Sequence, residues 1–349
     1  ILSFACTDWK ENALWGTDGW YMGTLTQLMF VAIYFAVSRY LENEKVWYSI
    51  FLVVSFLVFL LGLLNRFSVY PIKMEGANPI FISTLGNINW FCGFFIMITA
   101  LEMVLYFEAK THREKWLFGS TLFLSFLAMI CQGSISGYVT ILILLLFLLS
   151  PALKSKAAFL TYLEICLLLF GACSALYMTG YFLPGRFVEY DPITHFVAFS
   201  FLPLLCLFVT SLAHMLVSFL TKDFKFAFLY KYIAGLSVLT FLLYLVLCLI
   251  NTLYPGITPF LNSVSAFTFD RFWWSTRGGT YTIGVQAYTS LSWFRWLIGI
   301  GPDCFLTYVY NNLDKVTMAK CFKLQPLANA HNEFLTMLVN TGLFGVISY

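Results

Sequence analysis

The residues in this chain best suited to chemistry are arginines and histidines that fall between long apolar runs. Five arginines and two histidines share this setting: Arg66, Arg186, Arg271, Arg277, Arg295, His195 and His331. The planar guanidinium of arginine binds phosphate through two parallel hydrogen bonds. Histidine can accept a proton near neutral pH, because its ordinary pKa is about 6.5. Together these side chains suit a lipid-linked phosphate or pyrophosphate, although ordinary contact with lipid headgroups explains any single arginine better.

The composition is that of a multipass membrane protein. Of 349 residues, 60% are hydrophobic and 11% are charged, whereas a soluble domain has about a quarter of its residues charged. This excludes a soluble globular enzyme. The net charge of +3, without a dense basic stretch, excludes a nucleic-acid-binding protein. Most of the nine cysteines lie in or near apolar runs, but Cys304 and Cys321 share a polar stretch and are either a disulfide or two free thiols.

Eight apolar runs are long enough, or nearly so, to cross a bilayer core about 30 Å thick. They cover about 23–38, 46–64, 90–107, 115–131, 137–151, 157–178, 195–220 and 230–251, and a ninth run begins near 334. We therefore predict an all-α, polytopic integral membrane protein with eight to nine transmembrane helices in a single domain over 1–349. The first residue is not Met and the ninth run stops early, so we expect a fragment that is incomplete at both ends.

The basic residues orient these predicted helices. Ten of the 20 Lys and Arg residues fall in one set of short loops and four in the alternate set, which predicts that the first set is cytoplasmic. The long segment 252–333 then forms a large extracytoplasmic loop. It is too rich in aromatic residues for a disordered segment. We predict that it forms short helices on the outer membrane face, with local breaks at Gly278-Gly279, Gly299 and Gly301-Pro302.

Three ionisable residues lie inside the predicted spans: Glu102, Glu164 and His214. Each is within about two turns of the predicted cytoplasmic surface, so we expect a snorkelling or hydrogen-bonded structural role rather than catalysis. Whether they pair with one another stays open.

The end of the chain carries the most specific local pattern. It consists of a G-x-G-x-x-x-F stretch, an H-N-x-x-L motif and a G-L-x-G motif, at 299–305, 331–335 and 342–345. This block resembles the signature of the O-antigen ligase/polymerase superfamily of bacterial membrane glycosyltransferases. Weaker similarities to the same family occur upstream: Ser275-Thr276-Arg277, Leu85-Gly86-Asn87-Ile88-Asn89 and Gly16-Thr17-Asp18-Gly19-Trp20.

The resemblance implies a metal-independent, inverting glycosyltransferase of the bacterial inner (plasma) membrane, with its active loop outside the cytoplasm and no cofactor. Its implied donor is a glycan on undecaprenyl pyrophosphate, and its acceptor is a lipid, a surface molecule or a growing polysaccharide, as in lipopolysaccharide or capsule biosynthesis. By matching position, His331 and Arg277 are the catalytic candidates. The family often has an S-R-G arginine where this chain reads Gly133-Ser134-Ile135-Ser136-Gly137. We predict that Arg186 supplies the missing charge and that Arg66 also binds the pyrophosphate.

Several alternatives stay open within this prediction. His331 is either a general base, a hydrogen-bond partner of the phosphate or sugar, or a residue that shares the capping of a helix with Asn332. Asn332 is also a substrate-binding candidate. Asp303 and Asp314 are alternative bases, but more often such residues are solvated turn residues. Ligase and polymerase are not separable; a glycan flippase without covalent chemistry and a sensor or scaffold are the rival classes. A transporter should carry polar groups near the bilayer midplane, whereas this chain concentrates them in one loop.

Overall fold

The computed structural model describes residues 1–42, 44–72, 83–183, 185, 192–223, 226–262, 264–322 and 327–349. The chain is all-helical, with 78% helix and no strand within these ranges. This confirms the predicted fold class. The helices group into two compact units, residues 43–237 and residues 1–42 with 238–349.

Among the described residues, seven helices are long and apolar enough to cross a membrane, so the chain is a polytopic membrane protein. They are Val46–Arg66, Ile88–Glu108, His112–Gln132, Ile135–Ala152, Lys156–Phe182, Leu202–Phe219 and Ala227–Leu253. The predicted first span is the helix Thr24–Tyr40, whose 17 residues place it just below this length. Large apolar side chains cover the outer sides of these helices, as lipid contact requires.

The prediction of one continuous span over 195–220 is wrong. The structure has two helices there, Pro192–Phe199 and Leu202–Phe219. Pro203 lies in the first turn of the second helix and has no amide hydrogen to continue the ladder of the first. The Ser200 hydroxyl donates to the Phe196 carbonyl (2.6 Å) and accepts from the Leu202 amide (3.2 Å), so it closes one helix and opens the next.

The unit of residues 43–237 is built around helices Ile88–Glu108, His112–Gln132 and Lys156–Phe182, whose facing sides form a buried apolar core. Aromatic rings fill its centre: Phe59 lies 5.8 Å from Phe91 and 6.0 Å from Phe95, between ring centroids. The loop before His112–Gln132 is closed by a capping box between Thr111 and Glu114.

The other unit has a smaller core, to which the N-terminal residues and the long loop both contribute. Its helices are Leu2–Cys6, Lys10–Trp15, Thr24–Tyr40, Ala227–Leu253 (from residue 238 onward), Trp273–Thr289, Trp293–Ile298, Phe305–Asn312, Lys315–Phe322 and Glu333–Ser348, with short 3-10 turns at Pro259–Leu261 and Ser265–Phe267. We call Trp273–Thr289 the loop helix and Glu333–Ser348 the last helix. The predicted short helices in the segment 252–333 are therefore present.

Cys304 and Cys321 are free thiols in this structure. Cys304 is fully buried in the core of its unit, and burial raises the pKa of its thiol to about 11. Of the two readings that the sequence allows for these residues, the structure therefore has the unpaired thiols.

Candidate functional site

The turn that carries His331 is held by side chains on both sides of it. The Asn329 Oδ1 accepts from the His331 amide (2.9 Å), and the Asn332 Oδ1 accepts from the Leu335 amide (3.0 Å). Asn332 is thus the N-cap of the last helix. The Thr336 hydroxyl also accepts a hydrogen bond from the Ala330 amide (3.1 Å). His331 itself has a φ of +52°, in the left-handed region. The capping is done by Asn332, which leaves the His331 imidazole to other contacts.

Arg277 lies close enough to His331 for its charge to act on the imidazole. The pKa of His331 is lowered to about 4. Burial is the larger cause, and the positive charge of Arg277 is the second. The imidazole is therefore neutral at neutral pH, with one ring nitrogen able to accept a proton. The structure brings together His331, Arg277 and Asn332, three of the five residues that the sequence singles out.

Close packing at a glycine joins the loop helix, which carries Arg277, to the segment that contains this turn. Gly284 of the loop helix packs against Leu335 and Ala330, where a Cβ atom would overlap the Leu335 side chain. Gly278 and Gly279 pack just as closely on the backbone of Asp270 and Cys321. The prediction that Gly278-Gly279 is a local break is wrong: both lie inside a continuous helix, because the missing side chains let neighbouring backbone approach.

The glycines of the G-x-G and G-L-x-G motifs join the backbone before Phe305 to the last helix. The Ile300 and Gly301 amides donate to the Val339 and Asn340 carbonyls, at 3.1 and 2.9 Å. Gly299 (φ +73°) and Gly342 (φ +68°) face each other, and a Cβ atom on either would overlap the backbone of the opposite segment. The last helix is kinked at Gly342 for the same reason. Packing of backbone on backbone thus explains this motif pair.

Asp303 is buried and binds the N-terminal segment, so it is neither a solvated turn residue nor exposed as a base. Its Oδ2 accepts from the Thr17 amide (2.8 Å) and the Met22 amide (3.0 Å). Its carbonyl accepts from the Thr17 hydroxyl (2.9 Å) and the Asn12 amide group (2.8 Å). Burial raises the pKa of Asp303, and the two backbone amides counteract that rise. The Gly16-Thr17 motif is therefore the counterpart of Asp303.

The remaining arginines have separate environments. Arg66 belongs to the unit 43–237, where it is 7% exposed and its Nη2 donates to the Gln132 carbonyl (3.0 Å) at the end of another helix. Arg295 bonds Asp8 (3.1 Å), and the Arg271 guanidinium stacks on Phe272 at 4.6 Å. Arg186 lies outside the described residues. The phosphate-binding roles of Arg66 and Arg186 stay predictions.

The ionisable residues of the unit 43–237 do pair, in part. The Glu164 carboxylate is 2.7 Å from the Lys115 Nζ and 3.8 Å from the His214 Nε2, and it accepts a hydrogen bond from the Tyr106 hydroxyl (3.1 Å). Glu102 is separate: it is 1% exposed and accepts from the Ser125 hydroxyl. Lys115 and Tyr106 were not apparent as partners from sequence, since only helix packing brings them to Glu164.

No protein-family model, curated protein sequence or solved structure matches this chain. Within the described ranges, no group of three or more His, Cys, Asp or Glu side chains is arranged to hold a metal ion. The site is therefore defined by its own geometry: a neutral histidine on a rigid turn, beside an arginine on the loop helix.

Proposed function

We propose that this protein is a membrane glycosyltransferase of the O-antigen ligase/polymerase type, with His331 and Arg277 at its active site. The observation that carries the proposal is the proximity of these two residues, which lie 54 positions apart in the sequence and were selected there by separate motifs. A neutral imidazole can accept a proton and a guanidinium can bind a phosphate, so the pair suits acid–base chemistry next to a phosphate.

The reaction is the displacement of pyrophosphate from the anomeric carbon of a glycan. An acceptor hydroxyl attacks that carbon from the face opposite the leaving group, the bond to the phosphate oxygen breaks, and undecaprenyl pyrophosphate leaves with the electron pair. The hydroxyl proton passes to the unprotonated ring nitrogen of the neutral His331 imidazole. Arg277 stabilises the negative charge that grows on the pyrophosphate, the type of term that is usually largest in such sites.

The electrostatics of the pair favour this order of events. In the ligand-free protein, Arg277 helps to keep the His331 pKa near 4. A bound pyrophosphate offsets the Arg277 charge, so its arrival raises the pKa of His331 and makes the imidazole a stronger base as the substrate is bound. The base is thus strengthened by the substrate whose reaction it assists.

A flippase, the rival class, would use polar groups near the midplane of the bilayer. In the unit 43–237 the Lys115–Glu164–His214 group instead lies towards one end of its helices: Lys115 is the fourth residue of its helix, and His214 is five residues from the end of its own. This position supports the enzyme over the transporter.

Transfer in cells that depend on this protein tests the proposal. We expect His331→Ala and Arg277→Ala each to abolish glycan transfer, at unchanged protein level in the membrane, and Thr289→Ala, an exposed position on the same loop helix, to leave it intact. Full transfer by both His331→Ala and Arg277→Ala would overturn the site assignment.

A further inference from the structure

A groove of about 610 Å³ runs along the loop helix on the side away from the core of its unit. Among the described residues, those that line it are Phe269, Asp270, Arg271, Trp273, Gly278, Tyr281, Thr282, Val285 and Gln286. The volume lies within the range of about 300–1,000 Å³ that is usual for small-molecule sites. None of these residues has a part in the reaction proposed above.

Both walls of the groove come from one stretch of backbone, so its shape is preformed. One wall is a face of the loop helix, since Gly278, Tyr281, Val285 and their neighbours repeat with the period of a helix. The opposite face of that helix, including Ile283 and Ala287, is buried in the core. The other wall is the segment just before the helix, which is fixed by the bond from the Gly279 amide to the Arg271 carbonyl (3.1 Å).

The groove has a rigid aromatic side. The Trp273 ring lies edge-on to Phe269 and Tyr281, with centroid distances of 4.9 and 6.0 Å. Its Nε1 donates to the Ala266 carbonyl (3.0 Å), which fixes the ring plane. Aromatic rings held in this way offer flat apolar surface without the entropy cost of ordering a flexible side chain on binding.

The polar side of the groove is balanced in charge and offers hydrogen bonds. Asp270 and Arg271 are adjacent and opposite in sign, so the groove has no net charge with which to select an anion. Gln286 is exposed. Its side-chain amide, which has two donors and an acceptor, makes no hydrogen bond to any residue that the structure describes. The Thr282 hydroxyl donates to the Gly278 carbonyl (2.8 Å) and keeps its capacity to accept a hydrogen bond.

We propose that this groove is a binding site for a neutral saccharide segment of the glycan. Flat apolar rings in one groove with amide, hydroxyl and carboxylate groups match a sugar, which has apolar C–H faces and hydroxyl edges. The groove includes Gly278, the residue after Arg277, so the groove and the proposed site share the loop helix. This inference rests on the proposed function for the role of the saccharide, and its test measures binding without turnover.

The test uses the full chain in phosphatidylcholine nanodiscs and calorimetric titration. The probe is a mixture of di- to hexasaccharides prepared by partial hydrolysis of the surface polysaccharide of the source organism. We expect saturable binding that weakens at least tenfold in Gln286→Ala and in Tyr281→Ala. The matched control is Thr289→Ala, three residues further along the exposed side of the same helix and outside the groove. Gln286 is a surface side chain, so its variant remains informative even where Tyr281→Ala fails to fold.

Binding that is absent at millimolar saccharide, or equal in Gln286→Ala and Thr289→Ala, would overturn this inference. Binding of glycerophosphoglycerol in place of the saccharides, with loss in Gln286→Ala, would also overturn it and assign the groove to a lipid headgroup. His331→Ala separates this inference from the proposed function. We expect His331→Ala to retain saccharide binding. If the wild type binds the saccharides but transfers no glycan, only the proposed function is contradicted. If it transfers glycan but binds no saccharide in the groove, only the groove assignment is contradicted.

Discussion

Replacing Asp303 by alanine should detach the N-terminal segment from the loop that precedes helix Phe305–Asn312. Its Oδ2 is the acceptor for the Thr17 and Met22 amides. The Thr17 amide is buried, so leaving it unpaired costs about 1–3 kcal/mol, and loss of the more exposed Met22 bond costs about 1 kcal/mol. Alanine at the Asp303 φ of +55° adds about 1 kcal/mol. We therefore expect a loss of about 3–5 kcal/mol in the free energy of unfolding.

Asp303→Asn is the matched control, since the amide oxygen can replace Oδ2 as the acceptor and asparagine tolerates a positive φ. We expect it to lie within about 1 kcal/mol of the wild type. Thermal unfolding in detergent micelles, followed by tryptophan fluorescence, measures both variants. For a unit of this size, each kcal/mol of lost stability lowers the unfolding midpoint by about 2–4 °C, so Asp303→Ala should lower it by at least about 6 °C. An alanine variant as stable as the wild type would refute this reasoning.

Two further perturbations follow from the same geometry. Gly342→Ala should prevent correct folding of its unit, because the Cβ atom would overlap the backbone at Gly299. Gly93→Ala, where a Cβ atom would meet open space, should be neutral or stabilising. Proteolysis of the membrane-embedded protein compares the two variants, and equal resistance to the protease would contradict the packing at Gly342. The His331 resonance should titrate near pH 4 by NMR, and Arg277→Ala should raise that pKa only part of the way to 6.5, because burial is the larger cause. The folded pKa is below the unfolded value, so the stability attributable to His331 is complete above pH 6.5 and declines as the pH falls towards 4; a titration near 6.5 in the wild type would contradict this.

Much of the fold is predictable from the sequence because a bilayer sets one simple demand, an apolar run of sufficient length. The helices from Ile88 to Phe182 follow from that demand alone. The break between residues 199 and 202 does not, since it depends on one serine and one proline inside an otherwise apolar run. Local chemistry of this kind is weak beside the hydropathy signal.

The candidate site residues can be chosen from the sequence, whereas their contacts cannot. His331 and Arg277 are found by motif, and their proximity agrees with that choice. The role of Asp303 is not accessible from sequence, because its partner Thr17 lies 286 positions away and is joined to it only by the fold. Lys115 is another such case. In the sequence it is one of the loop charges that orient the predicted helices, whereas in the structure it binds Glu164. Long-range pairs between polar groups leave no periodic trace in a single sequence.

The central claim, that the chain transfers a glycan rather than carrying it across the membrane, is tested most directly by the fate of the donor. The purified protein in proteoliposomes is supplied with an undecaprenyl-pyrophosphate-linked glycan and an acceptor, and free undecaprenyl pyrophosphate is measured together with the new glycoside. We predict that the two products appear in equal amounts and that both are lost in His331→Ala. Movement of intact donor across the bilayer without release of undecaprenyl pyrophosphate would contradict the claim.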